Sequence, residues 1–265
     1  LRRGKKCAMN ALRVKPMLER SRSNNLKTKA FVFFALVLIL LNSCTDIESI
    51  DHTNGHGQAI RKYNKIVSNI NKQCTDLLKK DISVPIEYVW MENTDAKISM
   101  IQGKRVITLN LNILKYYSDN ELAILLSHEY FHIFQDKYLN VNSWKYPMLT
   151  MLFVEGGATL FSEIQNPGMN DWKYISLWKQ DAETYNKYIE NSKESLEELK
   201  TKWYTVDQKD IDKYFSGSEE KANPWPERTG YYWGYKIMKS MYDKIGIKVF
   251  EMTESEFMKI LIEYK

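Results

Sequence analysis

Residues 118–136 contain neither glycine nor proline, and they open on Ser118 with Glu121 three positions later, the pairing of a capping box. A helix of four or five turns is expected there. Inside it stand His128 and His132, with Glu129 between them. Histidines at i and i+4 project from one helix face and can bind a single zinc ion, while Glu129 projects beside them as a general base. Two satisfied structural histidines are the plainer explanation, but the helical context and the intervening glutamate favour the metal. A catalytic zinc takes three protein ligands. The chain must therefore fold so that a second element delivers a third donor to this face.

A histidine six residues after His132 would mark the metzincin arrangement. Tyr138 stands there and Gln135 takes the glycine position, which excludes that class. Residues 153–163 form a second apolar-periodic segment with Glu155 near its centre, followed by Gly156 and Gly157. Two glycines in a helix interior cost about 1 kcal/mol each, so a packing reason is expected. Small residues would let this helix approach the metal-bearing one closely enough for Glu155 to reach the ion.

His128, Glu129 and His132 with a downstream Glu155, Gly156 and Ala158 resemble the gluzincin metallopeptidases, whose third zinc ligand is the glutamate of a second helix. The wider pattern, with Gly230, Tyr231, Tyr232, Trp233, Gly234 and Tyr235 near the C-terminus, resembles a bacterial family of predicted zinc-dependent proteases over roughly residues 105–245. The resemblance implies a zincin-like α+β fold, in which a small antiparallel sheet packs on the metal helix and mostly helical chain follows. It also implies Zn2+ as cofactor, His128, His132 and Glu155 as ligands, Glu129 as catalytic base, and a peptide or protein as substrate. Many gluzincins place an aspartate four residues after the ligand glutamate as partner to a histidine. Thr159 stands there, with Glu163 one turn further on as a substitute. By the same resemblance Tyr231 is the expected oxyanion donor, with Tyr235 one turn away, although a tyrosine-rich helix face is also an ordinary mark of core packing. By analogy with zincins, the strand at 105–111 is the edge strand that pairs with extended substrate.

Lys and Arg number 38 against 33 Asp and Glu, a net +5 that on its own suggests nucleic acid. The location of the charge removes that reading. Residues 1–43 hold ten of the basic residues and one acid, Glu19, which leaves 28 basic against 32 acidic side chains in the rest. No nucleic-acid partner is expected. Residues 30–41 are twelve unbroken apolar residues, the length of a signal-peptide core and short of the about twenty that span a membrane. Leu41, Asn42, Ser43 and Cys44 follow and resemble a bacterial lipoprotein box. That implies cleavage before Cys44, acylation of Cys44 and a lipid anchor holding the protein to the cell envelope. Met9 and Met17 lie within this leader.

Three parts are expected: a signal peptide at 1–43, a polar tether at 44–57 in which His52 and His56 are solvated, and one domain at 58–265. Cys74 is then the only cysteine of the folded part, which allows no internal disulfide. It falls on the stripe Ile60, Tyr63, Val67, Ile70, Cys74, Leu77 of a first amphipathic helix, as a small core residue. Residues 84–90 read as a strand and 98–111 as a hairpin turning at Gln102, Gly103 and Lys104. Beyond about residue 115 the chain reads as helical or irregular, so a single α+β domain is expected. A rival function is a surface or periplasmic binding lipoprotein that keeps the fold and the zinc without turnover. Glu129 counts against it, since loss of that base is the simplest way to abolish activity while retaining metal. Zinc capture for transport would favour more histidines than this chain offers.

Overall fold

The computed structural model describes residues 57–89, 96–114, 116–175, 182–215, 225–226 and 228–264. The leader, Cys44, His52 and His56 lie outside the described residues. The apolar stripe becomes α1, Gly57–Leu78, with Ile60, Ile70 and Cys74 buried. Burial pushes the free Cys74 thiol up to about 12, which leaves it inert.

β1 (Ile86–Val89), β2 (Ala96–Ile101) and β3 (Lys104–Asn110) form a sheet in the order β1-β3-β2. β2 and β3 are the expected hairpin, with Ile98 opposite Ile107. Gln102 and Gly103 turn it with φ of 50° and 74°, the doubly left-handed turn whose twist matches that of paired strands. The sheet is mixed, where an antiparallel one was expected. β1 runs parallel to β3, with Ile86 beside Ile107 and Tyr88 beside Leu109. Every residue of β3 from 106 to 110 is buried, so this strand takes the sheltered middle position, and the hairpin reversal aligns it with β1. β3 is therefore not the substrate-pairing edge that residues 105–111 were expected to provide. Its backbone is paired on both sides, and β2 holds an edge. Thr108 and Asn110, on the polar face of the hairpin pattern, are also fully buried. The Thr108 hydroxyl donates to Lys97 O at 3.0 Å, and Asn110 Oδ1 accepts from the Asn112 N–H at the start of the one-turn helix α2, Leu111–Leu114.

Ser118 opens α3, Asp119–Tyr138, with the capping box complete: its hydroxyl accepts the Glu121 N–H, and Glu121 accepts the Ser118 N–H at 3.0 Å. α4, Pro147–Gln165, begins on a proline whose missing N–H costs nothing in a first turn. α5 (Asp171–Ile175), α6 (Ala182–Glu190), α7 (Ser192–Lys202), α8 (Gln208–Phe215), α9 (Thr229–Ile245) and α10 (Glu254–Glu263) follow. Among the described residues, no helix is long and apolar enough to cross a membrane.

α1 and α4 pack on α3, and α9 packs on α4. The paired glycines of α4 divide between the last two contacts. A β-carbon on Gly157 would stand 2.9 Å from the Phe131 ring and 3.3 Å from Gln135 Nε2, both on α3. One on Gly156 would stand 2.3 Å from the carbonyl carbon of Gly234, so α4 and α9 cross backbone against backbone. The expectation that both glycines serve the metal helix thus holds for Gly157 alone. Aromatic rings complete the junction, Phe131 stacking on Phe161 at 4.8 Å and meeting Phe250 edge to face at 4.7 Å.

Candidate metal centre

α3 delivers His128 and His132 from one face, and α4 delivers Glu155 to meet them. The two imidazole Nε2 atoms are 3.0 Å apart, and Glu155 Oε2 lies 3.3 Å from His128 Nε2 and 3.5 Å from His132 Nε2. Among the described residues these three form the one group of His, Cys, Asp or Glu side chains that could hold a metal ion. Tetrahedral zinc with ligands at about 2.0–2.2 Å separates its donors by roughly 3.3–3.6 Å, and two of the three edges of this triangle fall in that range. Two nitrogens and a carboxylate oxygen also suit zinc chemically.

The charges agree with a site shaped for a cation. Burial would suppress protonation of His132, but the carboxylates of Glu155 and Glu129 and the bond to Gln135 outweigh it, raising the imidazole to about 9. Burial lowers His128, aided by the charges of His132 and Arg228 against the pull of Glu155. Glu155, although buried, is held well below the usual carboxylate range by the two histidines. Without a metal, a proton on His132 balances the Glu155 carboxylate.

Glu129 is buried, and its charge is felt at both His132 and Tyr231. α9 places the Tyr231 ring over that of His128, centroids 6.5 Å apart and planes 21° from parallel. Burial, together with the nearby Glu155 carboxylate, raises the pKa of the Tyr231 hydroxyl, so it stays protonated. Arg228, left-handed at φ 61° at the head of α9, lays its guanidinium 4.9 Å from the Tyr231 ring centre.

Tyr235 lies elsewhere, donating to Glu163 at 2.9 Å, while Lys239 holds the other Glu163 oxygen at 2.6 Å. The Thr159 hydroxyl donates to Glu155 O, one turn back along its own helix. Neither Thr159 nor Glu163 therefore takes the histidine-orienting position expected of it, because helix and lysine partners have claimed their polar atoms. Gln135 stands there instead: its Oε1 is 2.8 Å from His132 Nδ1, and its Nε2 donates to Val154 O at 3.0 Å.

A family model described as a predicted Zn-dependent protease (DUF2268) matches residues 63–262. The chain belongs to that family. No curated protein and no solved structure matches it. In this DUF2268 member the three side chains that could hold a metal ion stand on two helices that lie wholly within the matched span. In the sequence Gln135 counts only against the metzincin pattern, and Arg228 carries no motif. Gln135 had a signal: with His128 and His132 it completes a 4-3 spacing on one helix face. Arg228 had none, since its place depends on the left-handed entry to α9.

Proposed function

We propose that this DUF2268 chain is a zinc peptidase, anchored to the cell envelope by lipid on Cys44. The observation that carries the catalytic half is the convergence of His128, His132 and Glu155 beside Glu129 and Tyr231, five side chains drawn from three helices. Bound zinc supplies Lewis acidity, which polarises a carbonyl and acidifies water. Glu129 accepts a proton from the attacking water at its carboxylate and returns it to the amine nitrogen as the carbon–nitrogen bond breaks. Tyr231, protonated beside Glu155 and the His128 ring, donates to the oxygen that gains charge. The membrane half is supported by the basic leader, the twelve-residue apolar run and the sequence ending on Cys44.

The test is metal analysis of the full chain and of Glu129→Gln, both purified in detergent and assayed on a mixed peptide library. About one zinc in each, with cleavage by the parent only, is expected. A folded parent without zinc refutes the reading, and zinc in both with cleavage by neither favours a binding lipoprotein. Glu155→Ala lowers zinc occupancy; unchanged affinity removes it from the ligand set.

A further inference from the structure

We propose that Gln135 is a positioning residue for the metal centre, its side-chain amide selecting the His132 nitrogen that faces the metal and tying that imidazole to the helix that carries Glu155. The inference rests on the metal-binding part of the function above and names a residue that part does not use.

The Val154 carbonyl oxygen can only accept a hydrogen bond. The Gln135 atom 3.0 Å from it is therefore the amide nitrogen, and the carboxamide has one orientation. This turns Oε1 toward His132 Nδ1 at 2.8 Å. Oε1 also can only accept, so Nδ1 carries a hydrogen. In a neutral imidazole the remaining nitrogen, Nε2, then holds the lone pair. Nε2 is the atom that converges with His128 Nε2 and Glu155 Oε2. A backbone carbonyl on α4 thus decides, through one amide, which nitrogen on α3 is the donor.

Two features show that the position is built for this task. Gln135 is 1% exposed, so water does not replace either bond when it is lost. Gly157 leaves the space the amide occupies, since a β-carbon there would press on Gln135 Nε2 at 3.3 Å. Val154 directly precedes Glu155, so the bridge holds the His132 ring in register with the peptide that bears the third ligand. A neutral partner also orients the ring without adding a third negative charge beside Glu129 and Glu155.

The test uses the full chain in detergent with Gln135→Met, which keeps side-chain length and removes both bonds. Zinc affinity is measured by chelator competition, the visible spectrum is recorded with cobalt(II) in place of zinc, and circular dichroism checks the fold. Zinc binding about 10- to 100-fold weaker is expected, with shifted cobalt bands and retained helix. An unchanged dissociation constant with an unchanged cobalt spectrum overturns the inference. Gln135→Glu covers the case in which the methionine variant does not fold. It keeps an acceptor toward Nδ1 but cannot donate to Val154, so its affinity is expected between those of the parent and Gln135→Met, and a parental affinity overturns the tie to Val154. A glutamate variant that loses zinc by the 10- to 100-fold expected of the methionine variant overturns the tautomer assignment. A parent that takes up no zinc removes the metal centre and the proposed function together. A parent that binds zinc and is matched by Gln135→Met removes this inference alone.

Discussion

Gly156→Ala is the sharpest single perturbation of the junction that builds the site. The new β-carbon would lie 2.3 Å from Gly234 C, 2.4 Å from its carbonyl oxygen and 2.7 Å from its Cα. All three are backbone atoms, so no side chain can swing aside. An ordinary carbon–carbon contact is about 3.5 Å, which requires α4 and α9 to part by roughly 1.2 Å, and a gap of that size forfeits up to about half of the dispersion energy along the contact. Overpacking of this kind costs about 1–3 kcal/mol and more where the backbone must move, against about 1 kcal/mol gained by replacing a helical glycine. The net expectation is a loss of about 2 kcal/mol or more, a fall in Tm of roughly 4–8 °C.

The same displacement carries Tyr231 away from His128 and Glu155, while the three ligands, all on α3 and α4, stay together. Gly156→Ala therefore keeps about one zinc while it loses stability and turnover. Gly157→Ala is the matched control, because its β-carbon meets the Phe131 ring at 2.9 Å and Gln135 Nε2 at 3.3 Å, side-chain atoms that can yield. It costs less stability and weakens zinc binding instead, by disturbing the partner of His132. Thermal denaturation and zinc titration of the two variants decide the matter. Gly156→Ala at parental stability, or zinc loss in Gly156→Ala without loss in Gly157→Ala, refutes the division of labour between the glycines.

Three further outcomes are expected. Tyr231→Phe keeps the ring stacked on His128 and removes the hydroxyl, so zinc content is retained and kcat falls by about 10²–10³-fold; parental kcat removes Tyr231 from the mechanism. Zinc uptake must displace the proton that His132 keeps up to about 9, so apparent zinc affinity rises with pH by about tenfold per unit from pH 6 to 8 and levels near pH 9. Chelator competition across that range reads the slope, and a flat profile contradicts the charge assignment of the triad. Cys44→Ala moves the protein from the membrane fraction to the soluble fraction and abolishes labelling by a radioactive fatty acid, and membrane retention without Cys44 rules out the lipid anchor.

What the sequence disclosed and what it withheld divide by range. The spacing of His128, Glu129 and His132 acts within one turn of one helix, and Ser118 with Glu121 within another, so both were legible without knowledge of neighbours. The stripe of α1 and the β2–β3 hairpin were legible for the same reason. The central place of β3 was not, because strand order is settled by which strand has most surface to hide. Gln135 breaks the metzincin pattern and its bond to His132 depends on a carbonyl of another helix, while the role expected of Thr159 and Glu163 is prevented by their own helix and Lys239.

The glycine pair shows how far local reading extends when geometry is added. Successive helix residues are about 100° apart, so Gly156 and Gly157 open two different sides of α4, and two helices enter: α9 at the first and α3 at the second. Glu155 precedes both, and its carboxylate emerges where those helices converge. His128 and His132 approach it from α3, and the Tyr231 hydroxyl approaches it from α9. A carboxylate followed by two helix-breaking residues, in a segment otherwise apolar enough to be core, therefore describes a three-helix junction with an anion at its focus. Such an anion is tolerable in the interior only if a cation is brought to it, and two imidazoles on a neighbouring face are the ligands that let the cation be a metal.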